Sequence, residues 1–285
     1  MNLSKVQKIC VIGAGIMGTD IAQVFAAKGF KVLVSDISEE ITSKAAARLE
    51  KNASRLLDRG KISAEDKTSM LACVSFTTDL NKAADADLVI EAIIEDVEIK
   101  KGLFKTLDGI CKDETILASN TSTISITELA SSVKRKDRFI GLHFFNPATV
   151  MKLVEVIRGA GTSDGTVKEV FELCQAIEKE PIEVNDAPGF VVNKILVPMI
   201  NEAVGVLMEG VASAEDIDKA MRLGANHPMG PLALSDLIGN DTVLHIMEIL
   251  HSETGDPRYR PSMLLRKMVR AGQLGKKSGK GFFEY

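Results

Sequence analysis

His143 sits in the apolar run IGLHFF and Glu155 in the run KLVEVI. Asn146 and Pro147 end the first run, so the two runs read as an antiparallel hairpin turning near Thr149. The even spacing then puts both side chains on one face, directly opposed. An imidazole can take and return a proton near neutral pH, and a neighbouring carboxylate orients the ring and stabilises its charged form. A lone histidine in an apolar strand is more often a satisfied core residue. A carboxylate on the same face favours an acid/base dyad, because burying it unpaired is costly.

Gly13, Gly15 and Gly18 form G-x-G-x-x-G between the run KICVI and a helical pattern carrying Met17, Ile21 and Val24 on one face. The next run, KVLVS, delivers Asp36 to its carboxyl end. In this context the glycines serve a tight turn, close approach of backbone to a pyrophosphate, and helix-to-strand packing; the helix N-terminus receives the phosphates. Ala14, Ile16 and Met17 complete the loop. Asp36 accepts hydrogen bonds from ribose hydroxyls and repels a 2′-phosphate, and no cation follows before Lys44, so NAD is expected rather than NADP.

Two further places share the carboxyl edge of such a sheet, where open α/β folds bind ligands. Asn120, Thr121 and Ser122 follow TILAS and read either as a helix cap or, through Ser122, as a donor to a substrate oxygen. Glu95, after DLVIEA, reads either as a cofactor contact or as an acid of the next helix's first turn. Lys44, Arg48, Lys51, Arg55 and Arg59 fall on one helical face, either as a solvated stripe or as a seat for a phosphate-rich acyl carrier.

These residues need a scaffold. Short β-branched runs alternate with helical patterns from residue 8 to about 185, the signature of a parallel sheet wrapped by helices. The strands expected are KICVIG, KVLVSD, DLVIEA, TILAS, RFIGLHFF, KLVEVI and PIEV. An insertion from about Glu39 to Leu71 reads as two helices broken near Gly60, with Ser63 and Asp66 as a capping box. From Asp186, expected to cap a helix with Pro188 in its first turn, only helices and turns follow. The fold class is therefore α/β: a Rossmann-type doubly wound sheet with a long helical insertion over 1–185, then an all-α domain over 186–285.

A net charge of −4 over 285 residues gives no global field for nucleic acid or an anionic membrane. No apolar stretch approaches the roughly 18 residues of a membrane span. Lys5 and Lys8 precede an apolar run as in a secretory signal, but the glycines within that run make it a poor one. Cys10, Cys73, Cys111 and Cys174 lack the spacing of a zinc site or redox pair, so a reducing, cytoplasmic setting is expected. His227, His245 and His251 have no convincing ligand partners, and no metal is expected.

The segments CVIGAGIMG, VIEAIIED, ASNTSTISIT, GLHFFNPATVMKLVEVI, DAPGFVVNK, GANHPMGPL and GKKSGKGFF, in this order through nearly the whole chain, resemble the 3-hydroxyacyl-CoA dehydrogenase family. The length is similar to that of its stand-alone bacterial members. The resemblance implies interconversion of a short-chain (S)-3-hydroxyacyl-CoA and a 3-oxoacyl-CoA with NAD(H). It implies that His143 is the acid/base, Glu155 its partner, and Ser122 and Asn193 the contacts to the substrate's polar groups. It further implies cofactor contacts at Glu95, Lys100, Ser122, Asn146 and Lys277, CoA contacts at Arg55 and Arg59, and a homodimer or larger homo-oligomer formed through the helical domain.

Three other readings stay open. Ser122, His143 and Glu155 could form a thioester hydrolase triad, but no G-x-S-x-G elbow is present and such an enzyme has no use for the fingerprint. A non-catalytic NAD or acyl-CoA binding protein would not need every matched polar position filled. A dehydrogenase acting on a free 3-hydroxyacid would use a lysine after the linker, and Lys194 stands beside Asn193; the HFFNP segment favours the acyl-CoA enzyme.

Overall fold

The computed structural model describes residues 6–285, so Lys5 lies outside it. The chain forms two compact units dividing after Asp186. In the first, β1 (Lys8–Ile12), α1 (Ile16–Ala26) and β2 (Lys31–Ser35) make the opening βαβ unit. The insertion follows as α2 (Glu39–Asp58) and α3 (Ala64–Ala72), then β3 (Val74–Thr77). The remaining elements are β4 (Leu88–Glu91), α4 (Val97–Ile110), β5 (Ile116–Ser119), α5 (Ile126–Ala130), β6 (Phe139–Phe144), β7 (Leu153–Arg158), α6 (Asp164–Ala176) and β8 (Glu180–Asn185).

Among the described residues, eight strands form one sheet in the order β3-β2-β1-β4-β5-β6-β7-β8. All neighbours are parallel except β6 and β7. The chain runs outward from β1 through β2 to β3 and then crosses back to β4 on the other side of β1, which opens a crevice at the carboxyl ends of β1 and β4. The central strands β4 and β5 are buried throughout because helices cover parallel strands on both faces.

The insertion packs by the apolar face of α2, with Ala45, Leu49 and Ala53 buried. Gly60 has φ +64° between the two helices, and Ser63 and Asp66 form the expected capping box on α3. One strand, β3, is not among those the pattern singles out. It is short, lies at the sheet edge and is only partly buried, so it carries neither an apolar run nor clean alternation.

Asp186 departs from expectation. The next helix starts at Val192, and Asp186 instead accepts hydrogen bonds from Ser125 Oγ and from the backbone N–H groups of Ile126 and Thr127 (2.7–3.2 Å). It therefore serves the exposed N–H groups of a distant helix, α5.

The second unit contains α7 (Val192–Met208), α8 (Ala214–Gly224), α9 (Pro231–Ile238), α10 (Asn240–Thr254) and α11 (Met263–Arg270). Its core joins Val197, Ile200, Leu232, Val243, Met247, Leu250 and Leu265. Asp218 on α8 accepts the N–H groups of Leu232 and Ala233, which caps α9. Asp236 accepts the N–H groups of Phe282 and Phe283, fixing the C-terminal segment. Among the described residues, no helix is long and apolar enough to cross a membrane.

Candidate active site

His143 and Glu155 are directly paired in the β6–β7 register. His143 Nδ1 lies 2.8 Å from Glu155 Oε2, with Glu155 fully buried and His143 nearly so. The His143 ring also packs on Phe145, with centroids 4.5 Å apart, so its orientation is set on two sides. The turn expected near Thr149 is closed by N–H groups of Val150 and Met151 donating to the Pro147 carbonyl. Asn146 is exposed at the start of that turn.

Buried Lys179 ties the turn to the sheet, its ammonium donating to the carbonyls of Ala148 (2.6 Å) and Met151 (2.8 Å). Burial holds this ammonium below the usual lysine range, only partly countered by Cys174. Lys179→Met should cost about 2 kcal/mol, because two carbonyls lose their donor. Urea unfolding reads that loss; a midpoint equal to that of the unsubstituted protein would show the tie to be dispensable.

The glycine turn has the form the fingerprint requires. Gly13 has φ +103°, and a Cβ there would stand 2.5 Å from the Ala92 carbonyl oxygen. A Cβ on Gly18 would lie 1.8 Å from the Gly13 oxygen, whereas one on Gly15 would meet nothing within 4 Å. Gly15 therefore faces open space at the α1 N-terminus, where a phosphate group can approach the backbone. Asp36 accepts the N–H of Ala14 through Oδ2 and that of Ile37 through Oδ1, both at 2.7 Å. Ile37 is 92% exposed beside Asp36.

At the carboxyl edge the helix-start readings do not hold. The cap of α5 is Ser125 and that of α4 is Asp96, so neither Ser122 nor Glu95 is spent on a helix start. Glu95 Oε1 instead gathers the hydroxyls of Thr121 and Thr123 (2.5 and 3.0 Å) and the N–H groups of Ser122 and Thr123 (3.0 and 3.2 Å). Burial pushes its pKa up, but the Lys100 ammonium and these donors outweigh that and hold it below the usual carboxylate range.

Lys100 is itself 1% exposed. Its ammonium lies 2.5 Å from Glu91 Oε1 and 3.2 Å from Glu95 Oε2. Sequence reasoning missed Glu91, although a charged residue ending a fully buried run was a signal that a partner must exist.

Of the α2 stripe, Arg48 binds Asp20 on α1 at 3.3 Å, and the exposed Lys44 pairs with Glu40 one turn back. Lys51, Arg55 and Arg59 are exposed. In the helical unit, Asn193 lies in the first turn of α7, and the Lys277 ammonium binds Asp241 at 2.5 Å. Among the described residues, no group of three or more His, Cys, Asp or Glu side chains is placed to hold a metal ion.

Residues 8–187 match the NAD binding domain of 3-hydroxyacyl-CoA dehydrogenase, and residues 189–285 match its C-terminal domain. The chain belongs to the 3-hydroxyacyl-CoA dehydrogenase family. The 3-hydroxybutyryl-CoA dehydrogenase of Clostridioides difficile is 55% identical over 278 residues, covering 98% of this chain and 99% of that one. The probable 3-hydroxybutyryl-CoA dehydrogenase of Bacillus subtilis is 52% identical, covering 99% and 98%. Among solved structures, (S)-3-hydroxybutyryl-CoA dehydrogenase PaaH1 from Ralstonia eutropha superposes with a TM-score of 0.96 at 50% identity, covering 98% of this chain and 99% of that one. These 3-hydroxyacyl-CoA dehydrogenase relatives match the chain over both units.

Proposed function

We propose that this chain is an NAD-dependent dehydrogenase interconverting (S)-3-hydroxybutyryl-CoA, or a similar short-chain 3-hydroxyacyl-CoA, with acetoacetyl-CoA or the matching 3-oxoacyl-CoA. The observation that carries the reading is the buried 2.8 Å His143–Glu155 pair at the same sheet edge as the glycine turn. Residues 1–185 hold the dinucleotide; residues 186–285 serve substrate binding and self-association.

The open approach at Gly15, the α1 N-terminus and the Asp36 carboxylate fit a dinucleotide. When bound, NAD supplies the acceptor for the hydride leaving C3 of the substrate. Gly13, Ala14, Gly15, Ile16, Met17 and Gly18 would line the phosphates, and the exposed Ile37 beside Asp36 would offer an apolar surface to the adenine. Asp36 binds the ribose hydroxyls with its remaining lone pairs. Carried over by family likeness, Glu95, Lys100, Asn146 and Lys277 are the further cofactor positions; Lys100, 1% exposed, would act through Glu95.

Glu155 holds Nδ1 of His143, so Nε2 is the nitrogen that accepts the 3-hydroxyl proton during oxidation and returns it to the developing alkoxide during reduction. By family likeness, Ser122 and Asn193 are the positions assigned to the substrate's polar groups near the reacting carbon. Arg55 and Arg59 are exposed cations for the CoA phosphates. The exposed Met208, Val211 and Met263 of the helical unit support a homodimer or larger homo-oligomer. The working compartment is cytoplasmic, consistent with four free cysteines of which three are buried.

The test follows NADH absorbance with acetoacetyl-CoA, longer 3-oxoacyl-CoAs and free acetoacetate. Oxidation with the thioesters is expected. An equal rate with free acetoacetate would sink the thioester assignment, and release of free thiol without NADH loss would point to hydrolysis.

For Asp36→Ala, NADH affinity should fall about tenfold, the equivalent of about 1.4 kcal/mol, while relative tolerance of NADPH rises. Titration of both cofactors checks this, and an unchanged preference would remove Asp36 from the ribose site.

A further inference from the structure

Glu91 ends β4 at the crevice, paired in register with Ile12 of β1 and Ser119 of β5. It is completely buried, yet each oxygen is engaged. Oε1 accepts from the Lys100 ammonium (2.5 Å) and the Ile93 N–H (2.8 Å), and Oε2 accepts from the Ser119 hydroxyl (2.6 Å). The Ala92 carbonyl it helps to fix is the group against which Gly13 turns. One carboxylate thus holds the glycine-turn wall of the crevice and, through Lys100 and Glu95, the loop carrying Ser122 on the other.

Three charged groups meet here, two carboxylates and one ammonium, with a surplus of one negative charge. The ammonium lies nearer Glu91 than Glu95, and Glu95 is the partly exposed member, its side chain 29% exposed. The surplus therefore rests on Glu95, at the edge where a dinucleotide lies in such folds. Oxidised nicotinamide is a cation and reduced nicotinamide is neutral, so a fixed negative charge nearby separates their affinities.

We propose that Glu91 is a positioning residue for the dinucleotide: by taking up the Lys100 ammonium it leaves the surplus negative charge on Glu95, which favours the oxidised cofactor over the reduced one. The proposal rests on the dehydrogenase reading. Its consequence is a property of the site that substrate chemistry alone does not set.

The test measures the dissociation constants of NAD+ and NADH for the unsubstituted full-length protein, Glu91→Gln and Ser119→Ala. Glu91→Gln makes the cluster neutral, with Lys100 drawn wholly onto Glu95, and should raise the ratio of the NAD+ to the NADH constant by about threefold to tenfold. Ser119→Ala removes a hydrogen bond to Glu91 without changing charge and should leave the ratio unaltered. Equal weakening of both forms by Glu91→Gln, or no effect on either, would overturn the proposal and leave Glu91 with a packing role only. If Glu91→Gln does not fold, Glu95→Gln decides: it removes the surplus charge directly, so the same rise is expected and an unchanged ratio overturns the idea. Failure of the unsubstituted protein to bind either form would strike the dehydrogenase reading instead.

Discussion

His143→Gln should lower turnover about a thousandfold while the NADH dissociation constant stays within about twofold. The expectation follows from geometry. The histidine belongs to the β6–β7 hairpin, whereas the glycine turn and Asp36 belong to the opening βαβ unit, so proton transfer can be lost with cofactor binding kept. Glutamine retains a polar group of similar size but cannot shuttle a proton at neutral pH. Glu155→Gln should follow with a smaller loss, about a hundredfold, because the ring keeps its contact with Phe145 while its charged form loses a carboxylate. Stopped-flow turnover with acetoacetyl-CoA, run beside NADH fluorescence titration, separates the two quantities. A His143→Gln protein turning over at near-normal rate would remove the dyad from the mechanism.

The second large effect concerns two glycines three positions apart with opposite expected failures. Gly18→Ala forces a methyl to 1.8 Å from the Gly13 carbonyl oxygen and 2.9 Å from its carbon, both backbone atoms that no rotamer change can move. Helix α1 must lift from the turn, at a cost of about 3 kcal/mol, and NADH binding should fall with it. Gly15→Ala meets no atom within 4 Å, so its unfolding midpoint should match that of the unsubstituted protein. Its methyl would stand in the approach to the pyrophosphate, and NADH affinity should drop at least tenfold. Thermal unfolding and NADH titration of both variants check the contrast. Equal stability of the two, or undiminished NADH binding by Gly15→Ala, would contradict this account of the turn.

The contrast between what could and could not be read from the chain follows the range of each interaction. The His143–Glu155 pairing was open to inspection because an even spacing and one break, Asn146–Pro147, decide it within a single hairpin. The glycine fingerprint was equally local. Strand β3 was not, since VSFT gains its identity only by pairing with β2 at the edge of an assembled sheet. Asp186 could be seen as a capping residue, but the helix it serves, α5, lies far back in the chain. Lys100 matched a cofactor position by resemblance, while its burial against Glu91 required β4 and α4 to be brought together in three dimensions. The roles of Asn193 and Lys277 still rest on family likeness, beyond their places at the start of α7 and beside Asp241.

The single antiparallel junction in the sheet has a practical consequence. Because β7 runs back beside β6, the His143–Glu155 pair is encoded in one continuous stretch shorter than twenty residues, whereas the glycine turn and Asp36 are encoded in the first forty. On the proposed reading, cofactor binding and proton exchange are written in separate stretches of the chain. On that reading, substitutions confined to the hairpin would stop turnover and leave the dinucleotide site at the glycine turn intact.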